Sequence, residues 1–194
     1  MSFYHAGQRA LQERFGSTPL ADRLEQVTHR ERLTDDDKSF IESVSYFFLA
    51  TADEQGRPDC SYKGGAPGFV QVPAADLIVF PDYDGNGMFR SLGNMSVSPA
   101  VGLLFIQMGE APKRLRVNGK ALVSVDDPLI ASFSGAQAIV RVTPEHVFPN
   151  CPRYVHDLEH AKASPYIPAS DATPLEPVWK SFEVFKNVVP PRKA

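Results

Sequence analysis

Cysteine is nearly missing from this 194-residue chain, which carries only Cys60 and Cys151. Two cysteines so far apart in sequence support neither a disulfide framework nor a four-cysteine zinc site, and they fit a reducing compartment. An excess of positive charge is missing too. The balance is 20 basic against 23 acidic residues, a net charge of -3, so no global field draws in a nucleic-acid backbone. No apolar run approaches the ~20 residues of a spanning helix, and the first residues, MSFYHAGQRALQERFG, interrupt with charge the apolar stretch that a secretory signal needs. The expectation is a soluble, cytoplasmic protein with no nucleic-acid or membrane partner. There is no internal repeat, and Lys63-Gly64-Gly65-Ala66-Pro67-Gly68 has neither the Walker lysine spacing nor the dinucleotide G-x-G-x-x-G pattern.

What is present suits one globular domain with terminal extensions, since 43% of the residues are hydrophobic. Residues 4–15 and 20–30 carry helix formers broken by turn residues at Gly16 to Pro19. A better helix signal starts at Thr34, where a hydroxyl cap is followed three residues on by Asp37 and then by Phe40, Ile41 and Val44 on one face. From Tyr46 the texture turns to short β-rich runs: YFFLAT, CSYK, DLIVF, VGLLFI, RLRVNGKALVSV and AIVRVT. Asp53-Glu54-Gln55-Gly56 and Val117-Asn118-Gly119-Lys120 read as turns. Without crossover helices between these runs a parallel βαβ sheet is excluded, and a mainly β, antiparallel barrel or sandwich with peripheral helices is expected. After about residue 150 prolines accumulate around a single expected helix at Arg153 to Ala163. The organisation predicted is an N-terminal helical extension (1–38), a barrel (39–150), and a helix with a proline-rich tail packing on it (151–194).

Several residues could bind an anion. Lys63, Ser61, Arg90, Ser91, Arg114 and Arg116 supply cations and hydroxyls of the kind a phosphate needs. Alternation in Arg114-Leu115-Arg116-Val117 sends both arginines to one face, which either grips an anion or is simply the solvated side of a strand. The glycine-rich stretch at 63–68 permits close backbone approach to a flat ring, or is an ordinary turn. Asp82-Tyr83-Asp84-Gly85-Asn86-Gly87 imitates half of a calcium loop, but its twelfth position is Gly93 rather than a bidentate glutamate, so it reads as a turn delivering Arg90 and Asn94. His156-Asp157-Leu158-Glu159-His160 fits the inverted zinc-hydrolase pattern without an identifiable third ligand. Cys151 and Trp179 read as packing residues. No residue stands out as a general acid or base.

An ordered set of segments carries a family likeness. Leu49 to Pro58 resembles the first hairpin of the pyridoxamine 5'-phosphate oxidase-like FMN-binding split barrels. It is followed by Ser61 to Gly65, Leu77 to Asn94, Pro99 to Phe105 and Arg114 to Ala121, and the set covers roughly residues 39–150. The likeness is to FMN-binding relatives rather than to the oxidase itself, because Tyr83-Asp84-Gly85-Asn86-Gly87 replaces a shorter turn. It implies an antiparallel split β-barrel of Greek-key type, with FMN held between two subunits of a homodimer. It implies cofactor contacts at Ser61, Tyr62, Lys63, Tyr83, Arg90, Ser91, Asn94, Arg114 and Arg116, where Arg114 stands in place of a glutamine and Ser61 in place of an arginine. The activity implied is an FMN-dependent oxidoreductase acting on a small molecule through the flavin N5. The alternatives are a non-catalytic flavin, haem or deazaflavin binder and, further off, a zinc hydrolase using the motif at 156–160.

Overall fold

The computed structural model describes residues 3–109, 111–151 and 155. The helix expected at Arg153 to Ala163, the histidine motif at 156–160, Trp179 and the proline-rich tail lie outside these residues.

Three helices precede the sheet: α1 (Ala6–Arg14), α2 (Thr18–Thr28) and α3 (Asp35–Ser43). Arg9 ties the first two together through Asp22 and Glu25. The third begins where its capping box predicts. The Asp37 amide donates to Thr34 Oγ1 at 3.2 Å and the Thr34 amide donates to Asp37 Oδ2 at 3.0 Å, so two otherwise orphaned donors are satisfied. Phe40 and Ile41 then turn inward, and Val44, just past the helix, is buried with them.

Seven strands follow: β1 (Tyr46–Ala52), β2 (Pro58–Gly64), β3 (Gln71–Ala74), β4 (Leu77–Tyr83), β5 (Ala100–Gln107), β6 (Lys113–Ser124) and β7 (Ala136–Asn150). They form one antiparallel sheet in the order β2-β1-β5-β6-β7-β4-β3, curled around a single core as a split barrel. Period-two alternation puts Phe47 and Leu49, Leu103 and Phe105, and Leu115 and Val117 on the inner face. Phe47 is central: it is fully buried, and the rings of Phe69, Phe80 and Phe105 surround it at centroid distances of 5.0–6.0 Å. The apolar run of β4 is covered on both sides, which is why it does not alternate. Its inner side joins the main core. Val79 and Ile139 face outward and are roofed by a short 3-10 turn at Pro128–Ser132 and by Phe133.

Three expectations are corrected. Val117 to Lys120 is not a hairpin turn: β6 runs straight through it, and the Asn-Gly pair marks a register shift against β7. β7 extends past Thr143 through Pro144 and Pro149. A fourth helix, α4 (Arg90–Val97), follows the turn at 84–89, where no helix is expected.

The N-terminal segment is latched to the outside of β7. Arg30 and Val147 exchange two backbone hydrogen bonds of 2.7 and 2.9 Å, and His29 Nε2 lies 2.8 Å from His146 Nδ1 under the ring of Phe3. Burial, and then the neighbouring His146, hold the His29 pKa below its usual 6.5. The unfolded chain therefore takes up protons that the folded one resists. The latch contributes fully above about pH 6.5 and is lost as pH falls through the depressed folded value. Urea midpoints measured from pH 8 to pH 5 should fall more steeply in the native protein than in His29→Gln. Parallel profiles would rule out the latch as the source.

Candidate functional site

A cavity of about 360 Å3 opens between β2, β4 and the N-terminus of α4. Each element contributes for a local reason. In β2 the alternation that pairs Leu49 with Ser61 and Phe47 with Lys63 places both polar side chains on the inner face, at the barrel's open end. Asp59, two residues earlier, shares that face and pairs in register with Thr51. Asp82 and Tyr83 end β4.

The α4 terminus is unusual in two respects. Its N-cap residue, Phe89, is the one non-glycine with positive φ (49°) among the described residues, a left-handed conformation that costs energy outside glycine. No side chain caps this end. The first-turn amides are thus left as donors, and a helix N-terminus also carries partial positive charge.

Around this terminus Ser61 Oγ and Ser91 Oγ lie 3.0 Å apart. Lys63 Nζ donates to Asp82 Oδ1 at 3.2 Å, and Gln137 Nε2 donates both to Asp82 Oδ2 at 3.0 Å and to the Tyr83 carbonyl at 3.1 Å. Arg90 Nε approaches Asp59 Oδ1 at 3.4 Å. Burial pushes the Tyr83 phenol up, so it stays protonated and able to donate at neutral pH. Above this polar floor the lip is apolar: Met88 and Phe89 are 65% and 52% exposed. The arrangement can hold an anionic group at the floor and a flat apolar body at the rim.

Of the nine cofactor contacts implied by sequence, Ser61, Tyr62, Lys63, Tyr83, Arg90 and Ser91 line this one cavity. Asn94 sits one turn further along α4 and donates to Thr51 Oγ1 at 3.0 Å. Arg114 and Arg116 lie elsewhere. Register links Arg116 to Leu104, Phe48 and Tyr62 in one row across the outer face, and Arg114 to Ile106 beside it, with the Arg114 guanidinium donating to the Cys151 carbonyl. Both arginines are therefore on the face opposite Ser61 and Lys63 and three strands from them, about 14 Å along the hydrogen-bonding direction. The sequence did not point to Asp59 or Gln137, and it offered Asp82 only as part of a calcium-like loop. Glycines 64 and 65 make room for this chain's own rings: a Cβ on Gly65 would fall 2.5 Å from Phe69, and one on Gly64 would fall 2.7 Å from Tyr62. Among the described residues no cluster of three or more His, Cys, Asp or Glu could hold a metal ion, and no helix is long and apolar enough to cross a membrane.

Residues 33–168, more than half of the chain, match the family model described as pyridoxamine 5'-phosphate oxidase. No curated protein matches. Among solved structures, a HupZ variant from Group A Streptococcus is 14% identical with a TM-score of 0.50, covering 61% of this chain and 99% of that one. A candidate pyridoxamine 5'-phosphate oxidase from Lactobacillus delbrueckii is 20% identical with a TM-score of 0.50, covering 63% and 99%. The haem storage protein HutZ from Vibrio cholerae is 26% identical with a TM-score of 0.44, covering 66% and 99%. The first two share the fold of this chain.

Proposed function

The chain belongs to the pyridoxamine 5'-phosphate oxidase family, and on that premise we propose that it binds FMN at the N-terminus of α4 and serves as an FMN-dependent oxidoreductase on a small molecule. The observation that supports this reading most is the uncapped, left-handed start of α4 facing two hydroxyls and a lysine. Those groups suit a flavin 5'-phosphate, a dianion that needs fixed donors. Ser61, Ser91, Lys63 and Arg90 would hold the phosphate, Tyr83 would donate a hydroxyl beside it, and the Met88–Phe89 lip would take the edge of the ring. When bound, FMN supplies hydride or electron transfer at its N5. The protein's part is to anchor the phosphate, keep the ring at the rim and shape the space where a partner molecule docks.

The proposed assembly is a homodimer. Arg114 and Arg116, outside the sheet and away from the seat, would reach the flavin from a second copy across the row of Tyr62, Phe48 and Leu104. Such an interface would also cover Tyr62, which is 62% exposed in the single chain.

FMN at about a hundred times its dissociation constant should stabilise the protein by ~2.7 kcal/mol, with Arg90→Ala shifting the titration to higher concentration. Thermal shift with FMN, haem and deazaflavin in parallel, together with sedimentation across a wide concentration range, checks both parts. Stabilisation by haem or deazaflavin but not by FMN would overturn the cofactor assignment. A monomer that keeps FMN at every dilution would overturn the shared site.

A further inference from the structure

The floor of the cavity is charge-balanced, and the two pairs that balance it are built differently. Asp82 is 10% exposed at its side chain, and both its oxygens are occupied, one by Lys63 and one by Gln137. That pair fixes the lysine in place. The other pair is loose: Arg90 is 61% exposed, Asp59 is 23% exposed, and their closest approach is 3.4 Å. An anion arriving at α4 must share Arg90 with Asp59, which holds the guanidinium only through its Nε. The carboxylate then faces the anion, a like-charge contact at close range.

Resting on the phosphate seat proposed above, we infer that Asp59 sets an affinity threshold that any anion must overcome to occupy it. A free inorganic phosphate meets the opposing carboxylate and gains nothing from the lip. A phosphate carried on a flat apolar body gains the Met88–Phe89 rim as well, and that added contact offsets the repulsion. Asp59 thus lowers the affinity of every phosphate alike, so that free phosphate is held too weakly to occupy the seat while a phosphate on a flat apolar body still binds. The lip supplies the difference between the two ligands, and the repulsive carboxylate sets the level at which that difference decides occupancy.

The test compares the full-length native protein with Asp59→Asn and Asp59→Ser, titrating FMN, riboflavin and inorganic phosphate by calorimetry, with circular dichroism confirming the fold. The expected result is that both variants bind inorganic phosphate and FMN about tenfold more tightly, because one like charge has gone, while riboflavin is unchanged. If neither variant raises phosphate affinity, or if both weaken it, Asp59 only steadies Arg90 and the inference is overturned. If no flavin binds any form yet the variants take up phosphate more tightly, the inference stands and the FMN assignment falls. If flavins bind but the ratio of FMN to riboflavin affinity is the same in all three proteins, the FMN assignment stands and the inference falls.

Discussion

Gly119→Ala is expected to cost about 3 kcal/mol of stability, at the top of the range for overpacking, because the added methyl has no space and nothing beside it can swing away. Its Cβ would lie 2.2 Å from the Thr143 carbonyl oxygen and 3.0 Å from Pro144 Cα. Both neighbours are backbone, held in the long β6–β7 ladder that spans Arg114 to Ser124 on one side and Ile139 to Asn150 on the other. Relief requires the two strands to part at the register shift, where Gly119 pairs with Pro144. Gly102 provides the contrast. A methyl there meets the Asn118 amide at 3.2 Å, the end of a flexible side chain on an exposed position, so Gly102→Ala should change stability by less than about 1 kcal/mol. Since domains are stable by only about 5–15 kcal/mol, the first substitution should be plain in a urea titration and the second barely visible. Equal losses at the two glycines would mean that strand propensity, not the backbone clash, decides.

The same register shift shows why part of the fold could not be read from the sequence. Asn118-Gly119 between apolar runs has the composition of a hairpin turn, and Pro144 has the composition of a strand end. Each is explained by the other: the glycine allows close approach of β7, and the proline sits at the irregular step in the ladder. Local signals did suffice elsewhere. The capping box at Thr34 and Asp37 and the alternating and doubly apolar strands follow from side-chain chemistry and period alone. Helix α4 did not follow, because RSLGNMSV has weak helix propensity and is held by burial of Met95 and Ser91. The site divides along the same line. Ser61 and Lys63 were legible as polar alternate positions on a strand, yet their partners come from 19 to 30 residues away, and Gln137 reaches Asp82 across 55. Asp59 looks like any hairpin acid until α4 brings Arg90 over it.

Lys63→Met should damage both folding and ligand binding, and a second substitution should separate the two. In the native protein the ammonium neutralises Asp82, whose residue is 8% exposed and whose second oxygen is already taken by Gln137. Losing the lysine leaves a nearly buried carboxylate with one neutral donor. Orphaned buried charges cost about 3–5 kcal/mol, and the surviving bond from Gln137 reduces the expected loss to about 2–4 kcal/mol. Independently, the proposed phosphate seat loses a charged donor, a contact of about 1.5–3 kcal/mol, so FMN affinity should fall by about ten- to a hundredfold. Adding Asp82→Asn removes the orphaned charge, and Asn and Met can pack in its place. The double variant should therefore recover most of the lost stability. Its FMN affinity should still remain below that of the native protein, because no ammonium faces the phosphate. Urea denaturation and FMN titration of the native, single and double forms read these effects separately. A single variant as stable as the native protein would show that Asp82 does not depend on Lys63, and full FMN affinity in that single variant would remove Lys63 from the phosphate seat.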